Sequence, residues 1–309
     1  MRVVFFGSPE FAVPSLAAVL EKHEVVAVVT QPDRPAGRGA NLQPPAVKSL
    51  AVERGLRVYQ PLKLRDGMLA TELSRISPDL FVVVAYGRIL PPDLLALPRL
   101  GPWNVHASLL PKLRGAAPIQ WSIIRGESET GVSIMRMEEG LDTGPVAAVA
   151  TEKIREDDTA GSLAERLAPL GARLVVETLP RIADGTIALR EQDHAGATFA
   201  PLLQKSDGQL DFAQGASMVS ARARGVDPWP GATVRLGDDT AKVFAPRIVP
   251  GAGRPGEVLG LVPEGLAVAC REGAIAFAEV QLPGRKRMAA KAVLAGRPIP
   301  IGTLIGFAL

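Results

Sequence analysis

Cysteine is nearly absent, with one residue, Cys270, in a chain of 309. A single thiol excludes an intrachain disulfide and any multi-cysteine metal site, and it points to the cytoplasm. Histidine is almost as scarce: His23, His106 and His194 lie far apart, so a zinc site of the usual kind is not expected and no metal is assigned. Long hydrophobic runs are missing too. The strongest apolar stretch, Asp79 to Ile89, is too short to span a bilayer and carries Arg88. Met1 leads straight into the apolar run Arg2-Val3-Val4-Phe5-Phe6, without the basic, apolar and cleavage-site progression of a signal peptide. No membrane partner is expected. Gly7 closes that run, but no G-x-G-x-x-G follows it, which excludes an NAD or FAD fingerprint.

Charge of one sign is also lacking: 35 Lys and Arg stand against 32 Asp and Glu, a net +3. The imbalance is uneven. Residues 209–309 hold twelve basic against eight acidic residues, a surplus of four, so residues 1–208 carry one net negative charge. A polyanion, if one binds, is met on the C-terminal side. With 47% apolar residues the chain can bury a substantial core and suits two domains.

The first half alternates strands and helices. Strands are expected at 2–6, 24–30, 56–59 and 79–86, and helices at 11–21, 46–54 and 66–76. The run Asp-Leu-Phe-Val-Val-Val-Ala-Tyr at 79–86 is nearly all apolar and rich in β-branched residues, as a central parallel strand should be. Further elements follow: a strand at 103–106, a helix at 115–125, strands at 130–137 and 146–150, and a long helix at 159–182. Residues 184–208 read as a connector and 209–224 as a helix. From Gly231 onward short strands at 232–236, 241–246, 256–262, 266–270 and 274–282 alternate with Gly, Pro and Asp turns, which favours a small β-barrel.

The stretch Leu100 to Leu113 draws the chemistry. If Trp103 to His106 is a strand, a period of two puts Asn104 and His106 on one face and Val105 on the other. An amide donor beside an imidazole suits a reaction at a carbonyl, one group holding a developing oxyanion and the other moving a proton. An isolated Asn-x-His is more often ordinary structure. The surrounding motifs sharpen it. Asn104-Val105-His106-Ala107-Ser108-Leu109-Leu110-Pro111, then Arg114-Gly115-Ala116-Ala117-Pro118-Ile119 and Leu141-Asp142-Thr143-Gly144, resemble the formyltransferases that use 10-formyltetrahydrofolate. Gln31-Pro32-Asp33-Arg34-Pro35-Ala36-Gly37-Arg38-Gly39 and the chain length bring it nearest to the branch acting on initiator methionyl-tRNA. Two departures stand out: Ala107 replaces the usual Gly or Pro, and Trp103 a smaller residue. Neither removes a reacting group.

The resemblance implies a Rossmann-like, doubly wound, mostly parallel α/β sheet over 1–183, a linker at 184–208 and an oligonucleotide-binding-like barrel over 209–309. It implies a transferase with Asn104, His106 and Asp142 as catalytic groups and 10-formyltetrahydrofolate as co-substrate. The folate would lie against Tyr86, Gly87, Arg88, Ile89, Ser108, Leu109, Leu110 and Pro111, chiefly through main-chain groups at 85–89. The tRNA would meet Arg34 and Arg38 on the loop at 31–45, Lys48 near it, and Lys286 and Arg287 on the barrel, whose phosphate contacts position without specifying sequence. A monomer is expected. The same core also serves formyltransferases of amino sugars or other small amines and formyltetrahydrofolate hydrolases; a glycinamide ribonucleotide formyltransferase would be about two-thirds this length. A non-catalytic RNA-binding protein is the reading from a different class.

Overall fold

The protein was studied as a computed structural model that describes residues 1–36, 41–237 and 239–307. It forms two compact units. The first comprises Met1–Pro118, Thr130–Lys153 and Ala164–Ala200, and the second Ile119–Glu129, Ile154–Leu163 and the chain from Pro201 onward.

The strands up to residue 153 are β1 (Arg2–Gly7), β2 (Glu24–Val29), β3 (Arg34–Ala36), β4 (Asn41–Gln43), β5 (Val58–Tyr59), β6 (Leu80–Val84), β7 (Pro102–His106), β8 (Glu129–Arg136) and β9 (Val146–Lys153). The helices are α1 (Val13–Lys22), α2 (Ala46–Glu53), α3 (Met68–Ser74), α4 (Pro92–Leu95), α5 (Pro118–Ile124) and α6 (Ala160–Ala183). Seven strands form one sheet in the order β5-β2-β1-β6-β7-β8-β9, while β3 and β4 pair with each other. Neighbours from β5 to β7 run parallel, and β8 is antiparallel to β7. The order reverses at β1 and β6, the switch point at whose carboxyl ends such sheets bind ligands.

Burial explains the central strands. Every side chain of β6 is buried, as a Val-rich strand covered on both faces requires. Phe6 meets Phe81 at a ring separation of 4.9 Å. On β7, Val105 is buried against α6, where Gly171 lets the helix approach: a Cβ there would lie 2.9 Å from Val105 Cγ1. Leu167, Val175 and Leu179 supply the buried stripe of α6 at helical spacing.

In the second unit, β10 (Ala232–Leu236), β11 (Asp239–Val249), β12 (Val258–Val262), β13 (Gly265–Ala269), β14 (Ala274–Gln281) and β15 (Met288–Ala289) form an antiparallel, barrel-like sheet with α7 (Ala216–Gly225) and α8 (Ala290–Gly296). The order is β10-β11-β14-β13-β12, with β15 joined to β14.

Three expectations change. The strand read to Tyr86 ends at Val84, because Ala85 takes φ +47° and breaks the extended run. The helix read from Gln209 begins at Ala216, since Leu210 N–H donates to Thr233 O and Asp211 Oδ1 accepts from Ala213 N–H. The stretch 184–208 divides, residues 184–200 grouping with the first unit and 201–208 with the second. Arg190 bridges to Val146, and Arg114 to Phe199, so much of it adds to the sheet edge instead of spanning a gap.

Candidate active site

The site grows from the carboxyl end of β7. Asn104 and His106 share a face, as the period of two demands, and both look toward Asp142 in the turn between β8 and β9. Asn104 Nδ2 lies 3.4 Å from Asp142 Oδ1, and His106 Nδ1 lies 3.7 Å from Asp142 Oδ2. The imidazole is buried at 5% exposure, with the carboxylate side chain at 14%. The Asp142 main chain is left-handed, with φ +51°, a conformation that aspartate tolerates better than most residues.

Three consecutive residues after β7 return to this cluster. The Leu113 carbonyl faces His106 Nε2 at 3.0 Å. A carbonyl only accepts, so Nε2 carries the hydrogen and Nδ1, facing Asp142, is the nitrogen free to take a proton. Gly115 N–H donates to Asp142 Oδ2 at 2.8 Å. Between them Arg114 turns its side chain inward, 4% exposed, onto Gln192. Gly115 has φ +122°, and a Cβ there would lie 2.6 Å from the Ala200 carbonyl, so only glycine fits. Hydrogen bonds hold the turn that delivers these residues: Ser133 Oγ donates to Ser108 O at 2.7 Å and accepts from Leu110 N–H at 3.2 Å, and Ser108 Oγ donates to Lys112 O at 2.6 Å.

The residues expected around a folate spread out more. Ser108 and Leu110 are buried, Leu110 packing with Met135 and Val146, so their side chains belong to the scaffold. Leu109 and Pro111 are half-buried. Tyr86 needs correcting: its ring turns into the core edge-on to Phe6 at 5.4 Å, and its carbonyl already accepts from Gln31 Nε2 at 2.9 Å. Its hydroxyl is buried and finds no partner among the described residues, and burial pushes the phenol up to about 12. Arg88 donates to the carbonyls of Pro61 and Leu62 at 3.0 Å each, tying down the strand end. Ile89 is exposed at 69% and Leu141 at 52%, leaving apolar surface on the strand-end loop and on the acidic turn. Gly87, at φ +76°, has nothing closer than 3.9 Å to a Cβ position.

Of the basic residues, Lys48 needs correcting: its ammonium is held 2.8 Å from both Asp33 oxygens. Hydrogen bonds from Gln60 and Lys48 keep the Asp33 carboxyl below its usual range. That pair braces the root of the loop instead of presenting a free cation. Arg34 is exposed and reaches Gln31 Oε1 at 3.5 Å. Arg38 lies outside the described residues. In the second unit Lys286 is exposed, whereas Arg287 pairs with Glu279 and lies 4.0 Å over the Phe244 ring.

The sequence reading passed over Leu113, Gly115, Arg114 and Gln192 as parts of this cluster. Arg114-Gly115 stood in the quoted motif. Gln192, in a polar stretch without periodicity, carried no signal at all. Among the described residues no group of three or more His, Cys, Asp and Glu side chains is placed to hold a metal ion, and no helix is long and apolar enough to cross a membrane.

The formyl transferase family model matches residues 1–179, and that of the formyl transferase C-terminal domain matches 202–298. The methionyl-tRNA formyltransferase of Myxococcus xanthus is 49% identical over 302 residues, covering 98% of this chain and 97% of its own. That of Citrifermentans bemidjiense is 47% identical over 307 residues, covering 99% and 96%. Among solved structures, an N-formyltransferase from Helicobacter canadensis in complex with folinic acid and dTDP-3-aminofucose matches with a TM-score of 0.68 at 18% identity, over 93% of this chain and 100% of its own. That last likeness is one of fold.

Proposed function

The chain belongs to the methionyl-tRNA formyltransferase family, and from that premise we propose that it transfers the formyl group of 10-formyltetrahydrofolate to the methionine α-amino group of initiator methionyl-tRNA. The observation that carries this is the convergence of Asn104, His106 and Asp142 at the end of β7, in a chain that matches its relatives end to end. The protein acts as a monomer in the cytoplasm.

The strand end suits a folate. Left-handed Ala85 and Gly87 turn main-chain polar groups beside exposed Ile89, the mix of flat apolar surface and directional donors and acceptors that a pterin needs. Ala85 and residues 87–89, with Leu109 and Pro111, hold it, and it supplies the formyl group.

One hydrogen of Asn104 Nδ2 points at Asp142; the other is available to the formyl oxygen as negative charge builds there. The attacking amine is neutral. It gives up a proton to His106 Nδ1 as its N–C bond forms, and His106 returns a proton to N10 of the folate as the old C–N bond breaks, leaving the imidazole as it began. Asp142 faces the transient imidazolium at 3.7 Å, and the Leu113 carbonyl keeps the ring from turning. On the tRNA, Arg34, Arg38, Lys286 and Arg287 take phosphates, while Lys48 acts through Asp33 to set the loop.

The test offers purified protein and 10-formyltetrahydrofolate, in parallel, charged initiator tRNA, charged elongator tRNA, glycinamide ribonucleotide and an amino-sugar nucleotide. Formylation of the initiator species alone is expected. Preferential formylation of the sugar, or release of formate with no acceptor used, would replace this proposal by an amino-sugar transferase or a hydrolase.

A further inference from the structure

Gln192 spends all four of its side-chain hydrogen-bonding positions inside the protein. Its Nε2 donates to the Asp142 carbonyl at 2.8 Å and to the Gly144 carbonyl at 2.7 Å. Its Oε1 accepts from Arg114 Nε at 3.1 Å and Nη2 at 2.7 Å. An amide has two donors and two acceptor sites, so none is left over. The residue is only 7% exposed and Arg114 only 4%, which makes the guanidinium a buried cation bonded to neutral groups. Its further contact is His194 Nδ1, 3.0 Å from Nη2, and since arginine only donates, that nitrogen accepts. A reversed Gln192 amide would press NH2 against the guanidinium and oxygen against two carbonyls. The amide therefore has one orientation.

The two carbonyls it grips are the main chain of the turn that presents the Asp142 carboxylate. Gly144 completes that turn with no room beside it, a Cβ there falling 1.9 Å from the Arg136 carbonyl. The far end of the grip is Arg114, whose chain neighbours Leu113 and Gly115 touch His106 and Asp142 directly. A single side chain thus joins the segment that orients the imidazole to the turn that orients the carboxylate.

We propose that Gln192, oriented by buried Arg114, is a positioning residue that sets the reach of Asp142 to His106 during formyl transfer. This rests on the activity proposed above. Gln192 touches no reacting atom and acts through the turn. Fully satisfied buried networks of this kind hold a unique geometry, and half-satisfied ones lose it.

The test is Gln192→Glu, which keeps oxygens for Arg114 but sets a carboxylate against the two turn carbonyls. Expected is a loss in kcat of about 10- to 100-fold, the scale of a small misplacement, with KM for folate and tRNA within about twofold. In an Asp142→Ala background the same substitution should cost nothing further, because the group it positions is gone. Gln192→Met, which carries no charge, should repeat the pattern if the glutamate variant does not fold. In the unaltered protein the two Gln192 side-chain amide protons should exchange slowly with solvent, a reading that needs no variant. Fast exchange, a raised KM at unchanged kcat, or losses that add to that of Asp142→Ala would each overturn the positioning role. Wild-type turnover with initiator methionyl-tRNA in the same assay separates the two proposals: its absence sinks the activity, whereas wild-type kcat in Gln192→Glu sinks the positioning alone.

Discussion

At the scale of single residues, the two tyrosines and three histidines show how far burial decides a role. His106 is buried with both ring nitrogens facing acceptors, whereas His194 sits exposed and receives Arg114. Tyr86, at 2% exposure, is a core residue with a polar burden: its hydroxyl is desolvated without a partner among the described residues. The folded phenol, pushed up to about 12, stays neutral while an unfolded one ionises near pH ~10. The unfolded chain therefore loses protons first, and stability falls as pH rises between those values, by ~3 kcal/mol in all. Tyr86→Phe should remove that part of the alkaline loss and leave neutral-pH stability unchanged or raised by ~1 kcal/mol, read from denaturant melts at pH 7 and pH 11. An equally steep alkaline loss in the variant would show that the phenol is not the group responsible.

At the scale of elements, the strand–turn combinations carry the site, and they were legible to different depths. β1 and β6 announced themselves because strands covered on both faces are nearly all apolar, whereas β7, with Asn104 and His106 in it, did not. The shared face of Asn104 and His106 followed from the pleat alone. Asp142 did not follow: 36 residues separate it from His106, and only the resemblance to a family linked them. Gln192 was out of reach, since nothing in a polar, aperiodic stretch marks a residue that docks back onto a sheet edge. Tyr86 entered only through the resemblance, which sets the folate against 85–89; the early end of β6 at Val84 turns its ring into the core. The 113–115 segment offers the sharpest element-level test. Gly115→Ala places a methyl 2.6 Å from the Ala200 carbonyl at a φ of +122°. It should lower stability by more than ~2 kcal/mol, well beyond an ordinary Gly-to-Ala change, with kcat falling more than tenfold, measured by thermal melts and steady-state formylation. A stable, fully active variant would mean that the segment can move without disturbing Asp142.

At the scale of the whole molecule, a mild positive surplus in the last hundred residues becomes meaningful only beside a phosphate-rich substrate. If those cations meet the tRNA backbone, the KM for tRNA should rise steeply with salt while that for the folate changes little. Lys286→Ala should reduce the log–log slope by about one, the share of one phosphate contact. An unchanged slope would remove Lys286 from the interface. The central claim, that an amide and an imidazole at one strand end carry out the transfer, is tested most directly by single-turnover formylation of initiator methionyl-tRNA by wild type, Asn104→Ala and His106→Ala, with tRNA affinity measured in parallel. The transfer rate should drop by about 100-fold or more in each variant, with tRNA affinity within about twofold of wild type. Wild-type transfer rates in either variant would contradict the account.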